Sequence, residues 1–364
     1  MDVIEERSGV DAATPPPVRS RRRRGLAFDL TALALIGVLL AGAIGTTGIL
    51  MYRHLYSPTA FVLNYLDLLG RGQAADALAL PGVAIDSATV PNADLFTSAS
   101  DALLRRDALA PLTDATGIGE VPGDDGTTLV TVAYTAGTYA GQSTFRVRQA
   151  GWLGIAPAWR FTDSPLAVID LTVRGAMQFQ VNGFEVDKRQ VSPAQLDADP
   201  LAPVALLVFS PGLYSIEIDT PISASPGVAV LSDTPAADIP VDLQTQPTAQ
   251  FTAVVQEQVH AFLDSCTTQQ VLQPTGCPFG FTVRNRIVDA PVWTMAQQPA
   301  ITLAPAGANW TIERTEATAH IQVGIQSIFD GSITPVDEDV PFFLTGEVTI
   351  LPDGTASITV AGTD

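Results

Sequence analysis

An uncharged apolar run lies close to the N-terminus, at residues 30–52. Its length matches the roughly 20 helical residues that cross a bilayer. The residues before it include Arg19, Arg21, Arg22, Arg23 and Arg24. Basic residues accumulate on the cytoplasmic side of a membrane helix. The pattern predicts a disordered basic cytoplasmic tail at 1–24, a transmembrane helix at 25–53, and a single-pass plasma-membrane protein whose C-terminal domains are extracytoplasmic.

Other interpretations of this run have less support. A cleaved signal peptide has an apolar core of about 7–15 residues, which is shorter than this run. A helix buried in a soluble protein would not be expected to follow directly after five arginines. Beside a membrane helix those arginines indicate topology and contact with anionic lipid rather than nucleic-acid binding. Gly37, Ala41 and Gly45 recur at every fourth position, a spacing that lets helices approach closely. The expected partners are therefore the lipid bilayer and a second copy that packs through this helix.

Apolar positions after this run follow first a helical period and then a strand period. Ser57 and Pro58 suit a helix start, and Gly70 and Gly72 are expected to end the first helix. A second helix is predicted at 94–112. Alternating segments separated by Gly and Pro then continue to about residue 165, as in antiparallel strands with one buried face. Residues 56–165 are predicted to form a cone-like helix-plus-sheet module.

Residues 166–241 alternate apolar and polar positions over most of their length. Asn182-Gly183 separates two such segments, QFQV and FEVD. This dipeptide is a strong hairpin signal because a tight type I′ turn requires positive φ at both central residues. A small β-sandwich-like domain is predicted here.

The order of elements begins again at residue 246. Pro247-Thr248-Ala249 opens a helical pattern as Pro58-Thr59-Ala60 does, and alternating segments follow it. Residues 246–364 are predicted to form a diverged second module. The predicted fold class is α+β: one transmembrane helix followed by two helix-plus-curved-antiparallel-sheet modules flanking a small β-sandwich-like domain.

Charge and cysteine content narrow the function. The formal net charge is −19, and so acidic a surface repels phosphate backbones, so nucleic acid is not an expected partner. Cys266 and Cys277 lie close together in the chain, and in an oxidising compartment they are predicted to form a disulfide bond. A zinc site needs four ligands, and His260 with the two thiols leaves that set one short. No metal and no cofactor are predicted.

Few residues suit catalysis, and no serine lies in a G-x-S-x-G elbow. His260 and His320 are interpreted as structural. Asp124-Asp125 and Asp337-Glu338-Asp339 have ligands that suit Ca²⁺ but lack the spacing of a calcium loop, so solvated hairpin tips are expected.

A cone-shaped fold can hold a pocket between its helix and its curved sheet. Tyr65, Asp67, Tyr134 and Trp159 are predicted to line such a pocket in the first module. The alternative is that the aromatic residues among them are core residues. No catalytic residue is assigned.

The segments at 57–80 and 179–218 resemble those of bacterial membrane-anchored envelope proteins. The chain is similar in pattern and element order to teicoplanin-resistance-associated proteins with nuclear-transport-factor-2-like or cystatin-like domains. The resemblance implies envelope attachment and a binding or sensing role. Many such relatives begin with a cytoplasmic zinc ribbon, whereas this chain has no Cys before Cys266.

The sequence predicts a membrane-anchored cell-envelope protein with an extracytoplasmic binding, sensing or scaffolding role, and not an enzyme. Cell-wall polymer and another envelope protein are the expected partners of the outer domains. Two alternatives stay open: a subunit of an envelope transport or secretion complex, and an enzyme that uses a cone pocket.

Overall fold

The computed structural model describes residues 30–31, 33–39, 55–84, 93–154, 156–351 and 355–363. Contacts divide the chain into two units, Met1–Ser57 and Pro58–Asp364. Every strand described below belongs to the second unit. The predicted domain boundaries at 166–241 and 246–364 inside this unit stay predictions.

The predicted transmembrane helix is wrong. In the first unit the described helical residues are 30–31, 33–39 and 55–56. Over the residues that the structure describes, no helix combines the length and the apolar character needed to cross a bilayer. The single-pass plasma-membrane localisation rested on that helix and is wrong with it. The prediction rested on the length of an uncharged run, of which residues 32 and 40–52 lie outside the described part.

Most residues assigned to the membrane segment and its flank lie outside the described part. These are Arg19, Arg21, Arg22, Arg23, Arg24, Ala41 and Gly45. Gly37 is described, and a Cβ added there would meet no atom within 4 Å.

The second unit begins with helices packed on an antiparallel sheet whose strands follow chain order. The strands are β1 (Leu112–Pro122), β2 (Thr127–Ala136), β3 (Tyr139–Leu153) and β4 (Ala156–Phe161). Helix α1 (Pro58–Gly70) is followed by the short helix α2 (Ala74–Leu78). The buried residues of α1 are Val62, Tyr65, Leu66 and Leu69. Their spacing of three and four residues puts them on one side of the helix, against the sheet.

Two sheets share a core in the middle of the unit. The first has the order β12-β5-β8 and contains β5 (Leu166–Arg174), β8 (Val204–Phe209) and β12 (Asp238–Gln244), with β12 parallel to β5. The second has the order β11-β9-β6-β7 and contains β6 (Gln178–Val181), β7 (Phe184–Asp187), β9 (Gly212–Glu217) and β11 (Val228–Ser232). Small elements here are helix α4 (Lys188–Val191) and the pair β10 (Ser223–Ala224) and β13 (Gln246–Pro247).

The Asn182-Gly183 hairpin is confirmed. These residues join β6 to β7 with φ values of 51° and 82°. The Asn182 amide also donates hydrogen bonds to the carbonyls of Ala108 and Leu213, over 2.8 and 2.9 Å. Asn182 therefore forms the turn and also bonds to two segments that are distant in the sequence.

The helix predicted at 94–112 is largely absent. Helix α3 covers Ala93–Ser98, and a single 3₁₀ turn follows at Arg106–Ala108. The Ser100 N–H donates to the Ala205 carbonyl and the Ser100 carbonyl accepts from the Leu207 N–H, each over 2.9 Å. Because these backbone groups bond to β8, they cannot continue a helix, and the helix ends before them.

The C-terminal part combines one helix with a six-stranded sheet. Helix α5 (Ala249–Thr267) is capped by Thr248, whose Oγ1 accepts from the Phe251 N–H over 3.1 Å. The strands are β14 (Arg286–Ile287), β15 (Val292–Gln297), β16 (Leu303–Ala306), β17 (Asn309–Gln326), β18 (Ile333–Ile350) and β19 (Ala356–Thr363). Strand β17 pairs with β14, β15 and β16 along one side and with β18 along the other. A disulfide bond joins Cys266 of α5 to Cys277.

The predicted α+β class is wrong, because strands make up 47% of the structure and helices 22%. A β-rich fold replaces the predicted set of helix-plus-sheet modules after a membrane helix. Two segments contribute to the difference. Strand β8 captures Ser100 where a long helix was expected, and residues 333–340, which no pattern assigned, become part of β18.

Tyr65 joins α1 to the middle sheets. Its buried ring packs against Phe145 and Phe161, with ring centroids 6.1 and 5.2 Å apart. Its hydroxyl donates to the Ser210 carbonyl over 3.1 Å. Burial, and after it the nearby Tyr214, raises the pKa of Tyr65 well above its ordinary value. The protonated hydroxyl therefore satisfies a buried carbonyl at this junction.

We expect Tyr65→Phe to lower the free energy of unfolding by about 1–2 kcal/mol, because the buried Ser210 carbonyl loses this donor. The folded pKa of Tyr65 lies above the unfolded one, so the unfolded chain releases its proton first and stability falls as pH rises above about 10. Chemical denaturation at about pH 8 and about pH 10.5 measures both effects. The variant should lose less stability between these pH values than the wild type does.

Tyr139→Phe is the matched control, because Tyr139 is an exposed tyrosine. It should leave the stability at both pH values unchanged. Equal alkaline losses in the wild type and in Tyr65→Phe would contradict the role given to the Tyr65 hydroxyl.

Candidate functional site

Tyr65 and Asp67, both predicted to line one pocket, face opposite ways. They are two residues apart on α1, which corresponds to about 200° around a helix. Tyr65 is buried, whereas Asp67 is exposed and accepts a hydrogen bond of 3.1 Å from Arg71 Nε. Asp67 borders an open cleft of about 450 Å³ together with Leu112 and Asp114.

Tyr134 and Trp159, the other two residues of the predicted pocket, belong to the first core. Tyr134 on β2 is buried, and its hydroxyl accepts from Ser143 Oγ over 3.4 Å. Burial raises its pKa. Tyr134 also borders a second cleft of about 370 Å³, whereas Trp159 packs against the core from β4. The three aromatic residues therefore belong to one core, whereas Asp67 lies on the exposed side of α1. The two clefts that Asp67 and Tyr134 border share Asp114.

His260 on α5 has a structural setting. Its Nε2 lies 3.2 Å from the Pro299 carbonyl, which also accepts from Gln256 Nε2 over 2.7 Å. The Gln256 carbonyl oxygen in turn accepts from the Ile301 N–H over 2.8 Å. These contacts fasten the segment at 299–301 to the helix.

Lys188, the only lysine of the chain, is completely buried. Its Nζ donates to the Pro200 carbonyl over 2.5 Å. Burial lowers the pKa of Lys188, although Asp199 nearby acts in the opposite direction. The ammonium group fastens α4 to the following loop, which is a structural role.

The two acidic clusters occupy different places. Asp124-Asp125 lies in the turn between β1 and β2, as expected for a hairpin tip. Asp337-Glu338-Asp339 lies inside β18, which is not the expected hairpin tip. His320 on β17 sits between two of these carboxylates: its Nε2 is 3.0 Å from Asp337 Oδ1 and its Nδ1 is 2.8 Å from Asp339 Oδ1. Across the described residues, no group of three or more His, Cys, Asp or Glu side chains could hold a metal ion.

The tip of the β17–β18 hairpin exposes three large apolar side chains. Phe329 is 97% exposed, Ile328 76% and Ile333 60%. These three residues are called the tip patch. A side chain such as Phe329 is normally buried, and apolar side chains grouped on one projecting element indicate an interaction surface.

Local hydrogen bonds hold the backbone of the tip. The Ser327 N–H donates to the Ser332 carbonyl over 2.8 Å, and the Gly331 N–H donates to the Ser327 carbonyl over 3.0 Å. Asp330 Oδ1 accepts from the Ser332 hydroxyl over 2.8 Å and from the Ser332 N–H over 3.2 Å. Hydrogen bonds from Ser332, and after them from Ser327, lower the pKa of Asp330. The tip patch is therefore presented by an ordered turn.

The sequence contains a local signal for this turn. Asp330-Gly331 follows an alternating segment, and an Asp-Gly pair of this kind is a recognised hairpin signal. The alternating pattern indicated a strand ending near Ile328 and another starting near Pro341, so the start of β18 at Ile333 was missed.

Comparisons of the chain with protein-family models, with curated proteins and with solved structures find no match. The resemblance to membrane-anchored envelope proteins therefore stays an expectation. The hairpin itself is the remaining basis for assigning a function.

We expect Asp330→Ala to loosen the tip without unfolding the protein, because it removes an acceptor from Ser332 on an exposed turn. Hydrogen exchange of the Ser332 amide should become faster, while global stability should change by less than about 0.5 kcal/mol. The same loosening should appear in the wild type as pH falls through the lowered pKa of Asp330, because the protonated carboxyl is a poorer acceptor. Native-state hydrogen exchange measures both.

Asp330→Asn is the control, since the amide carbonyl can still accept from Ser332. It should keep most of the protection. Unchanged exchange at Ser332 in Asp330→Ala would show that the carboxylate does not order the turn.

Proposed function

We propose that the chain is a non-catalytic binding protein that docks onto a partner protein through the tip patch. The observation that supports this most directly is the 97% exposure of Phe329 at the end of an ordered hairpin. A phenylalanine side chain exposed to water contributes nothing to the stability of the fold. We therefore attribute its presence at the tip to contact with another protein.

The energetics of docking favour the tip patch as an anchor. Burying a phenylalanine or isoleucine side chain contributes about 1.5–3 kcal/mol each. Because the turn is already held by Ser327 and Asp330, little backbone freedom is lost on binding. Interfaces commonly owe most of their affinity to a few central apolar or aromatic residues.

The charges around the tip patch indicate the chemistry of the partner. Asp330, Asp337 and Asp339 lie on the same hairpin and are exposed. The chain as a whole carries a formal net charge of −19. A partner with an apolar pocket and a basic rim complements this surface, and opposite charges also speed association.

The alternatives differ in their support. An enzyme using the predicted pocket has less support, because Asp67 is exposed on α1 while Tyr65, Tyr134 and Trp159 belong to the first core. A subunit of a larger complex is compatible with docking through the hairpin, because such a subunit also requires a protein-binding surface.

We expect Phe329→Ser to weaken partner binding at least ten-fold, which corresponds to about 1.4 kcal/mol. The partner is first identified by placing a photo-crosslinking residue at position 329 in cells that produce the protein. Affinity is then measured with the two purified proteins by calorimetry. Because Phe329 makes little contact in the fold, the melting temperature should stay the same within about 2 °C.

Leu196→Ser is the matched control, because Leu196 is an apolar residue that is 84% exposed on a different part of the chain. It should leave the affinity unchanged. Equal weakening by the two variants, or full affinity in Phe329→Ser, would rule out docking through the tip patch.

A further inference from the structure

Strand β18 is paired along only part of one side. Strand β17 pairs with it from Val348 to Ile333, whereas β19 pairs with it only from Ile350 to Phe343. At residues 333–342, no strand of the described ranges pairs with the side that faces away from β17. The stretch at 333–342 is called the open edge. An open edge presents backbone donors and acceptors that another strand can use.

Pro335 and Pro341 show which backbone groups face outward there. Proline has no N–H, so within a sheet it occupies positions whose nitrogen faces away from the neighbouring strand. Both prolines are in register with β17, so their nitrogens face the open side. Backbone groups alternate in direction along an antiparallel strand. The N–H and C=O groups of Asp337 and Asp339 therefore also face the open side.

Side chains along the open edge alternate between the two faces of the sheet. Asp337 and Asp339 are exposed on the face that also carries His320. Val336 and Val340 are half-buried and pack against the C-terminal core from the other face. The exposed Glu338 lies between these two valines on the same face. A strand added here would meet two carboxylates on one face, and two half-buried valines with the Glu338 carboxylate between them on the other.

We infer that the open edge binds an extended segment of the partner protein in which basic and apolar residues alternate. Its backbone would pair with Asp337 and Asp339 and extend the sheet beyond the end of β19. Its arginine or lysine side chains would lie opposite the two carboxylates, each of which can accept several hydrogen bonds. The segment is the extended part of the same partner whose pocket takes the tip patch, so this inference rests on the proposed docking function.

A second copy of this chain fits the open edge poorly. Pairing two β18 strands edge to edge would place Asp337 and Asp339 next to the same residues of the other copy. Like charges on neighbouring strands are destabilising. Charge complementarity therefore favours a basic segment as the occupant.

The test uses the full chain and a labelled octapeptide of alternating arginine and valine, followed by fluorescence anisotropy. The key variants are Asp339→Ala, which removes the carboxylate, and Asp339→Pro, which removes the same carboxylate and also the edge N–H. Asp339→Pro should bind about five- to ten-fold more weakly than Asp339→Ala, as expected for one lost backbone hydrogen bond. Peptide binding should also slow hydrogen exchange at the Asp337 and Asp339 amides of the wild type.

Two control peptides separate strand addition from charge attraction. A peptide with glutamate in place of arginine should not bind. A peptide N-methylated at every second residue keeps the charge of the parent but cannot form a ladder, and it should lose at least about ten-fold in affinity. The comparison of the parent and methylated peptides still tests the inference if Asp339→Pro does not fold.

Three results would overturn the inference: equal binding of the methylated and parent peptides, equal affinities of Asp339→Ala and Asp339→Pro, or self-association that protects the open edge without peptide. Phe329→Ser should still bind the peptide. If the partner protein depends on Phe329 while the peptide fails to bind, the open-edge inference fails and the docking function stands.

Discussion

Continuous backbone pairing along β17 is the constraint on which the C-terminal sheet depends. The short strands β14, β15 and β16 pair with β17 and with no other strand of the described residues. The alternate residues Ala317, Ala319, Ile321 and Val323 supply the buried side on which α5 packs. Because β18 pairs with β17 over the same length, the hairpin continues past the end of β19. The tip patch and the open edge both lie in the part of the hairpin that extends past the end of β19.

Buried hydroxyl groups organise the other end of the second unit. Tyr65 reaches the Ser210 carbonyl, and the Tyr214 hydroxyl bonds to both backbone groups of Phe209, over 2.9 and 3.1 Å. Ser164 Oγ donates to the Val83 carbonyl over 2.6 Å. Each hydroxyl satisfies a backbone group that burial has removed from water, where an unpaired group costs about 1–3 kcal/mol. At the junction between α1 and the middle sheets, these polar groups are therefore hydrogen-bonded within a core of apolar side chains.

The candidate site combines a hydrogen-bonded hairpin turn with apolar and acidic side chains. Apolar side chains at the tip provide area, and the carboxylates of Asp337 and Asp339 provide charge of one sign. His320 lies between those carboxylates on the neighbouring strand, so the acidic face is held in place by cross-strand contacts. This arrangement is the basis of the proposed docking function.

Local patterns predicted those features that depend on a few adjacent residues. The Asn182-Gly183 turn, the Thr248-Ala249 start of α5 and the end of α1 at Gly70 all follow from backbone preferences within one turn. The disulfide bond between Cys266 and Cys277 joins residues close in the chain and is present in the structure. Asp330-Gly331 is an equally local turn signal, but no alternating pattern covers residues 333–340, so the sequence does not indicate that β18 starts directly after the turn.

The sequence by itself determined the acidic charge, the short turns and the helix caps, because these depend on composition or on neighbouring residues. Only the tertiary structure decided that Ser100 would leave a helix for β8 and that 333–342 would pair with β17. The apolar run at 30–52 met a length criterion for a membrane helix that the described residues do not bear out. For Ser100 and for residues 333–342 the outcome depends on backbone groups elsewhere in the chain that pair with them, and a local pattern carries no information about those partners.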